Sequence, residues 1–464
     1  MTAAPDQHDC DVLILGGGPA GYSCALRASQ LGLSVTLVEA DKIGGTCLHR
    51  GCIPTKALLH AAEVADLTRR GATFGITSHF DSVDVDGLSA YRDGVVNRMY
   101  AGLTGLVRQH GITVVAGHGS YLGGRTVQID DARHTGRFLV LATGSEPQIP
   151  STLQLSERII TSDQALTLQT IPARAVVVGG GAIGVEFASL WASFGAEVTI
   201  LEAQPSLLPA EDLWASKQLQ RALTKRGICV RADTAIVSAT ERADGVTVEL
   251  PGGETLDADA MLIATGRAPR TDEAGLAEHG IALERGFVVT DDTLATSIEG
   301  VYAIGDIVRG LQLAHRGFGH GAFVAEHLAG LSPVPPSDEV VPRVVYSHPE
   351  VAAVGLTEAA VRARFGMATA VVYDLSGNAK SQILGTTGGV KVVRAGGKAD
   401  DGPVLGVHMV GDRVSELIGE AQIVVGWEAL ASEVGRFPHA HPTQHEALGE
   451  AMLALSGNPL HAHG

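Results

Sequence analysis

Two cysteines five residues apart, Cys47 and Cys52, have the types and spacing of a pair that could form a redox-active disulfide. On a regular helix, residues five apart are separated by about 7.5 Å of rise and point to different faces, which places their Cα atoms roughly 8 to 9 Å apart. A disulfide tolerates only about 7 Å. A bond between them therefore needs a distorted turn, and Gly51 supplies a permissive backbone for one. Arg50 and Lys56 would favour a thiolate once the bond is reduced, and strain would ease that reduction.

Two other interpretations of the pair stay open on spacing alone. The cysteines could be buried neighbours without chemistry, or they could bind a metal. Metal is the weaker alternative, because no second cysteine pair or suitably spaced histidine set accompanies them. The other three cysteines, Cys10, Cys24 and Cys229, are scattered through predicted strands and helices and are expected to fill the core. Five cysteines in 464 residues do not make a disulfide scaffold.

A second stretch with chemical potential lies near the end of the chain, at residues 438–446. Oxidation of a dithiol near neutral pH needs a base, and a histidine oriented by a carboxylate is a natural one, which nominates His441 and Glu446. His441 precedes Pro442 and is expected to be extended, outside a helix. Thr443 and Glu446 also have the spacing of a capping box, so a purely structural role for Glu446 stays open.

The elements that must position these groups begin with a glycine fingerprint. Residues 11–15 form a predicted buried strand, followed by GGGPAG and a helix. Gly16 makes the tight turn, Gly18 lets the backbone approach a pyrophosphate at the helix N-terminus, and Gly21 allows close helix packing. A second predicted strand ends at Glu39, whose carboxylate can accept hydrogen bonds from a ribose.

The same unit recurs later in the chain, with Gly179, Gly181 and Gly184 as its glycines and Glu202 as its acid. The offset is 163 residues both for the last glycine (184 − 21) and for the acid (202 − 39). A single fingerprint of this kind is weak evidence, since glycine-rich turns are common. Two of them, each in strand-turn-helix-strand-acid context and at one offset, predict two nucleotide sites.

The cysteines indicate which nucleotide each unit binds. Cys47 follows Glu39 by only eight residues (47 − 39), so a disulfide there can face only the cofactor of the first unit. Because a flavin exchanges electrons with a dithiol, the first unit is predicted to bind FAD. The second unit then binds the nicotinamide nucleotide. Glu202 would repel a 2′-phosphate, so we predict NAD rather than NADP.

Composition excludes several functional classes. A chain of 464 residues exceeds a single core and predicts about three domains. The formal net charge of −17 (34 − 51), without a basic cluster, argues against nucleic acid or an anionic membrane surface as a partner. The acidic start, with Asp6, Asp9 and Asp11, is unlike a signal peptide, and no apolar run approaches about 18 residues. These features predict a cytoplasmic protein.

Residues 44–56 resemble the active-site motif of the flavin disulfide reductases, the class I pyridine nucleotide-disulfide oxidoreductases, and are closest to that of the dihydrolipoamide dehydrogenases. The resemblance implies that Cys47 and Cys52 form the redox-active disulfide, with Cys47 as the interchange thiol. It also implies that residues 301–306 are a second flavin motif, in which Asp306 holds the ribityl chain. We expect further cofactor contacts at the active-site motif and at two strand-to-turn junctions, namely at Thr46, Lys56, Thr143, Gly144 and Gly266.

The stretch that contains His441 resembles the His-Pro-Thr-x-x-Glu motif of the same family. The resemblance implies that His441 is the catalytic base, that Glu446 orients it, and that this dyad reaches the disulfide of the other subunit of a homodimer. It further implies an ion pair between Lys56 and Glu186 beside the flavin, which would tune the ring's electronics. Gln444 stands where many members have Leu, and the next residue, a histidine, where many have Ser.

The resemblance covers essentially the whole chain and implies an α/β fold with two Rossmann-like dinucleotide-binding domains, for FAD and NAD, and an α+β C-terminal dimerisation domain. The expected boundaries are 1–150 for the FAD domain, 151–280 for the NAD domain, 281–340 for a segment completing the FAD domain, and 341–464 for the interface domain.

The implied reaction is oxidation of dihydrolipoamide to lipoamide with reduction of NAD to NADH, with a lipoyl domain of a 2-oxo acid dehydrogenase complex as partner and no metal. Two alternatives remain. One is another flavin disulfide reductase of the glutathione or mycothiol type, against which Glu202 argues. The other is a catalytically silent flavin-bound subunit, against which the intact pairs Cys47 with Cys52 and His441 with Glu446 argue.

Overall fold

The computed structural model describes residues 8–397 and 402–461. Asp6, part of the acidic start, lies outside the described residues. The chain divides into two compact units. The first combines the N-terminal residues up to Ala57 with Asp86–Gln148 and Gly266–Asp338, and the second combines Leu58–Val85, Ile149–Thr265 and the residues from Glu339 onward.

The first unit is built on a seven-stranded sheet whose centre is parallel. Its strands are Thr113–Ala116, Val35–Glu39, Cys10–Leu15, Ala132–Leu141, Thr126–Ile129 and Gly119–Tyr121 in spatial order, with Val301–Ala303 paired to Ala132–Leu141. Val12, Leu13 and Ile14 are fully buried, as a strand covered on both faces requires. Two further strand pairs are Ser145–Pro147 with Arg267–Pro269, and Leu283–Glu284 with Phe287–Val288.

The helices that lie wholly or partly in the first unit are Pro19–Gln30, Gly45–Arg50, Cys52–Arg70, Val85–Gln109 and Ala314–Leu328. The helix Val85–Gln109 has Asp86 in its first turn, where an acidic side chain favours the helix N-terminus. The helix Cys52–Arg70 has Pro54 in its first turn, where proline is tolerated.

The second unit contains a five-stranded sheet in which each neighbouring pair is parallel. Its strands are Cys229–Arg231, Glu197–Leu201, Arg174–Val178, Ala260–Ile263 and Ile159–Thr161 in spatial order. Beside it lies an antiparallel sheet of Ser238–Arg242, Gly245–Glu249 and Thr255–Ala258. The helices of this part are Ser162–Ala165, Ala182–Ser193 and Leu213–Lys225.

A five-stranded antiparallel sheet forms the C-terminal part of the second unit. Its strands are Arg343–Val345, Glu350–Gly355, Val404–Gly411, Gly389–Ala395 and Ala368–Asp374 in spatial order. The helices here are Glu358–Phe365, Ala379–Leu384, Val414–Gly426, Ala431–Val434 and Glu446–Leu455. A continuous apolar cluster joins the sheet to Val414–Gly426 and Glu446–Leu455, so these two helices are held firmly against it.

The cysteines outside the active-site motif differ in burial. Cys10 and Cys24 are buried, as predicted. The prediction is wrong for Cys229, which is exposed because it opens an edge strand of the parallel sheet. Within the described part of the chain, no helix combines the length and apolar character needed to cross a membrane.

Candidate functional site

The first glycine loop has the geometry that a dinucleotide pyrophosphate requires. Gly16 has a φ of 107°, and a Cβ there would overlap the carbonyl oxygen of Ala142. A Cβ on Gly21 would overlap the carbonyl oxygen of Gly16, so only glycine lets the helix approach the turn. A Cβ on Gly18 would meet no atom within 4 Å. The open space above Gly18, at the start of the helix Pro19–Gln30, fits a phosphate group.

The second glycine loop repeats this geometry. Gly179 has a φ of 109°, and its Cβ would overlap the carbonyl oxygen of Ala264. A Cβ on Gly184 would overlap the carbonyl oxygen of Gly179, while one on Gly181 would meet no atom within 4 Å. The sequence repeat at an offset of 163 residues is therefore also a repeat of backbone geometry. We call the two glycine loops, Gly16–Gly21 and Gly179–Gly184, the first and second cradles, and both fit a dinucleotide.

The acid of each fingerprint is tied to its own glycine loop. One Glu39 oxygen accepts the Gly17 N–H at 2.7 Å, and the other accepts a backbone N–H two residues further on at 2.8 Å. Glu202 makes the same two bonds, to Gly180 at 2.6 Å and to the residue two positions on at 2.7 Å. Each carboxylate is thereby fixed at the end of its strand, where a ribose hydroxyl would meet it.

The two active-site cysteines meet at a break between helices. The helix Gly45–Arg50 ends at Gly51, and the next helix begins at Cys52. A Cβ on Gly51 would lie 3.0 Å from the Thr46 carbonyl oxygen and 3.3 Å from the Cα of Cys47, so a side chain at this position would crowd the turn. Both cysteines are in the thiol form, and their side chains share a hydrogen bond. The distorted turn predicted from their spacing is present.

The protonation of this pair differs from the sequence expectation of a favoured thiolate. The hydrogen bond to Cys52 raises the pKa of the Cys47 thiol, and burial and the neighbouring sulfur charge raise it further, while Lys56 opposes them. The Arg50 guanidinium pairs with Asp41 at 3.0 Å. The surroundings of Cys47 therefore favour its thiol over its thiolate.

Asp306 lies in a short network within the first unit. The Ser145 hydroxyl donates to Asp306 Oδ2 at 2.6 Å. Arg267 donates to the Ser145 hydroxyl oxygen at 2.7 Å and to its carbonyl oxygen at 2.6 Å. These contacts fix the Asp306 carboxylate at the turn after the strand Val301–Ala303.

The strand-to-turn junctions have the backbone that glycine permits. Gly144 has a φ of 78° and Gly266 a φ of 132°. The Thr143 hydroxyl donates to the Arg270 carbonyl oxygen at 2.5 Å. Thr46 lies half-buried in the helix that carries Cys47.

His441 and Glu446 form a hydrogen-bonded pair in the second unit. Nδ1 of His441 lies 2.8 Å from one Glu446 oxygen, and the other oxygen accepts the Thr443 N–H at 2.8 Å. The helix begins at Glu446 after His445, and the Thr443 hydroxyl donates to the Ala440 carbonyl oxygen, so only half of the predicted capping box forms. The Glu446 carboxylate orients the ring and also supports the backbone before the helix, so the two interpretations of this residue are compatible.

The charge of Glu446 favours this arrangement. Burial acts to raise the pKa of its carboxyl, but the hydrogen bonds from Thr443 and His441 outweigh burial, and the net pKa is lowered. Glu446 therefore remains a carboxylate at neutral pH. The His441 side chain is 70% exposed, so its ring is accessible to a thiol.

A cavity of about 450 Å³ adjoins the dyad within the second unit. Its lining includes polar and aromatic groups, among them Tyr373, His439, His441, Glu446, Glu450 and His461. Glu450 accepts both the backbone N–H of His461, at 2.9 Å, and a hydrogen bond from its Nδ1, at 2.8 Å.

The residues of the predicted ion pair belong to different units. Lys56 is half-buried on the helix Cys52–Arg70. Glu186 is 4% exposed on the helix Ala182–Ser193, and one of its oxygens accepts the Tyr346 N–H at 3.0 Å.

Sequence reasoning missed several residues around the predicted ones. Ser145 and Arg267 support Asp306 from 161 and 39 positions away (306 − 145 and 306 − 267), too far for any spacing rule to find. Burial raises the pKa of Tyr22 to about 12, and the charges of Cys47 and Cys52 add to this increase. Tyr22 is therefore a neighbour of the two cysteines. Its place one residue after the glycine fingerprint was the available signal.

Two family models match the chain. A model described as pyridine nucleotide-disulphide oxidoreductase matches residues 10–321. A second, the dimerisation domain of the same group, matches residues 341–452.

Two similar proteins match the chain over nearly its full length. A dihydrolipoyl dehydrogenase from Thermus scotoductus is 38% identical, with 97% of this chain and 98% of that protein covered. A dihydrolipoyl dehydrogenase from Bacillus subtilis is 36% identical, with 97% and 99% covered.

Solved structures agree on the architecture. LpdA from Mycobacterium tuberculosis superposes with a TM-score of 0.88 at 28% identity, covering 96% of this chain and 99% of that one. The HOCl-induced flavoprotein disulfide reductase RclA from Escherichia coli superposes with a TM-score of 0.84 at 26% identity, covering 95% and 99%.

Proposed function

Because the chain belongs to the pyridine nucleotide-disulphide oxidoreductase family, whose members use FAD and NAD, we propose that it oxidises dihydrolipoamide to lipoamide and reduces NAD to NADH. The single observation that carries the proposal is the 2.8 Å pairing of His441 with Glu446, because a histidine oriented by a carboxylate can accept the proton of a substrate thiol. Relatives named for this activity support the choice of substrate.

The thiol chemistry follows from the residues in hand. His441 removes the proton from one substrate thiol, and the thiolate attacks Sγ of Cys47 in the oxidised enzyme. The Cys47–Cys52 bond breaks, and Cys52 leaves as a thiolate. The second substrate thiol, deprotonated with the help of His441, attacks the substrate sulfur of the mixed disulfide. The Cys47 sulfur leaves as a thiolate, and lipoamide leaves with a new S–S bond. Through His441 the two protons removed from the substrate pass to the two cysteine sulfurs, so Cys47 and Cys52 hold the electron pair as a dithiol.

FAD, when bound in the first glycine loop, would supply the two-electron acceptor chemistry that links oxidation of the Cys47–Cys52 dithiol back to the disulfide with reduction of NAD to NADH. The chain's own groups hold the two nucleotides at the two cradles. We assign FAD to Gly16, Gly18, Gly21, Glu39, Thr46, Lys56, Thr143, Gly144 and Asp306, and NAD to Gly179, Gly181, Gly184, Glu202 and Gly266. Lys56 and Glu186 together are assigned the tuning of the flavin.

We further propose a homodimer in which His441 acts on the disulfide of the partner subunit. The dimerisation-domain match over residues 341–452 contains the dyad, which supports an interface role for this region. The exposure of the His441 ring fits a group that completes a site elsewhere. We also propose that a lipoyl domain of a 2-oxo acid dehydrogenase complex delivers the substrate, and that the protein works in the cytoplasm.

The proposal is tested by initial rates of NADH formation from dihydrolipoamide and NAD. We expect turnover that needs both active-site cysteines, so Cys47→Ser and Cys52→Ser abolish it, while the buried Cys24→Ser retains it. Absence of turnover by the wild-type enzyme, or a clear preference for NADP, would contradict the proposal.

A second candidate is reduction of another small disulfide, which the similarity to RclA favours because the same fold there belongs to a different disulfide reductase. Parallel rates with NADPH and glutathione disulfide separate the two. Glu202, whose carboxylate lies in the second cradle, favours NAD and therefore the first candidate.

A further inference from the structure

We propose that Glu420 is a positioning residue that fixes the loop bearing His441, and that it does so by holding one histidine on each side of the base. This inference rests on the proposed function, in which His441 is the base. Glu420 lies on the helix Val414–Gly426, which packs against the C-terminal sheet.

Both oxygens of the Glu420 carboxylate are used by the loop. Nε2 of His439 lies 2.8 Å from Oε1, and Nδ1 of His445 lies 3.0 Å from Oε2. His439 is two residues before His441, and His445 is four residues after it. One carboxylate on a helix packed into the core therefore holds both ends of the segment that presents the base.

The charges strengthen this contact. The hydrogen bond to Glu420 raises the pKa of the His439 ring, with burial opposing it and the charges of Glu420 and Glu446 adding to it. The hydrogen bond with His439 in turn lowers the pKa of the Glu420 carboxyl, with burial opposing it. A charged acceptor makes a stronger and more directional hydrogen bond than a neutral one.

The side chains along the loop differ in exposure, and the differences indicate that the loop holds the His441 ring out toward solvent. The His439 side chain is 13% exposed, and Asn378, which is 3% exposed, donates to the Thr443 carbonyl oxygen at 2.9 Å. The His441 side chain, between these anchored positions, is 70% exposed and is held by Glu446. The loop is therefore hydrogen-bonded on either side of the exposed His441 ring, as a base that must meet a thiol at a fixed distance requires.

Glu420→Gln tests the inference, with Glu416→Gln as the matched control. Glu416 lies one turn earlier on the same helix, and its side chain is exposed. Glutamine keeps the shape of the side chain but has one oxygen, so it can accept a hydrogen bond from only one of the two rings. Three quantities are measured: turnover of dihydrolipoamide, reduction of an artificial dye by NADH, and amide hydrogen exchange of peptides covering residues 438–446.

We expect Glu420→Gln to lower kcat for dihydrolipoamide about tenfold and to speed amide exchange in residues 438–446 about tenfold. Dye reduction uses the nucleotide sites without the dithiol base, so its rate and the KM for NAD should not change. Glu416→Gln should match the wild type in all three measurements.

The inference is overturned by unchanged exchange in residues 438–446, by faster exchange with unchanged dithiol turnover, or by a parallel loss of dye reduction and thermal stability that marks a purely structural role. Failure of the wild-type enzyme to oxidise dihydrolipoamide would instead count against the proposed function. In that case amide exchange still decides whether Glu420 fixes the loop.

Discussion

One oxygen of the Glu446 carboxylate lies 2.8 Å from Nδ1 of His441, while its other oxygen accepts the Thr443 N–H, also at 2.8 Å. The backbone contact fixes the carboxylate, and the carboxylate fixes the ring. Because Nδ1 is engaged by an acceptor, the proton of a neutral His441 resides there and Nε2 is left as the basic atom. The base is thereby set in one tautomer before a substrate arrives.

Glu446→Gln should lower kcat for dihydrolipoamide oxidation by about tenfold to a hundredfold, because the amide cannot stabilise a protonated His441. Steady-state rates near neutral pH measure this. The rate of dye reduction by NADH should remain at the wild-type level, since it does not use the base. Equal kcat values for the variant and the wild type would show that Glu446 serves only the backbone.

Two alanine substitutions in the second glycine loop should have different effects. Gly181→Ala places its Cβ in open space where the pyrophosphate is assigned, so the KM for NAD should rise about tenfold with the thermal midpoint unchanged. Gly184→Ala forces its Cβ onto the Gly179 carbonyl oxygen and should lower the thermal midpoint itself. A lower thermal midpoint for Gly181→Ala together with a raised KM alone for Gly184→Ala would contradict the assignment of NAD to this loop.

Glu202→Gln should raise the ratio of NADP to NAD efficiency about tenfold, because it removes the negative charge that opposes a 2′-phosphate. Glutamine can accept only one of the two backbone N–H groups that Glu202 accepts, so the thermal midpoint is measured beside the ratio to separate loss of loop support from loss of charge. Initial rates with each nucleotide give the ratio. An unchanged ratio would mean that Glu202 does not set the choice of nucleotide.

His439→Gln should destabilise the protein more at low pH than at high pH. The pKa of the His439 ring is raised above its ordinary value of 6.5, first by the hydrogen bond to Glu420. Its stabilising contribution is therefore complete below about pH 6.5 and is lost as the pH rises through the folded-state value. Thermal midpoints of variant and wild type at about pH 5.5 and about pH 9 test the sign. An equal difference at both values would contradict it.

The sequence predicts the family and the fold class, and the family models and the similar solved structures confirm both. The two nucleotide loops could be predicted because their glycine spacing is a feature of short stretches of sequence. Gly16 is required by its positive φ and Gly21 by its contact with the Gly16 carbonyl oxygen five residues earlier, and the repeat at 163 supplies an independent copy of both requirements. The distorted turn at Gly51 is likewise a local consequence of the cysteine spacing.

Contacts between distant segments could not be predicted in this way. Ser145 and Asp306 are 161 residues apart, and the two strands that bring them together are adjacent only in the folded sheet. In the sequence Glu420 looks like any acidic residue on an amphipathic helix, because its contact with His439 forms only in the folded chain. The exposure of Cys229 depends on the place of its strand at the sheet edge, which hydrophobic pattern alone does not reveal.

The most direct measurement of the central claim is anaerobic mixing of the oxidised enzyme with dihydrolipoamide, followed by rapid alkylation and mass spectrometry of the cysteine peptides. We predict that Cys47 and Cys52 become alkylated only after dihydrolipoamide is added, with equimolar formation of lipoamide, and that added NAD returns them to the unreactive disulfide as NADH forms. Unchanged alkylation of Cys47 and Cys52, while lipoamide is still produced, would contradict the account.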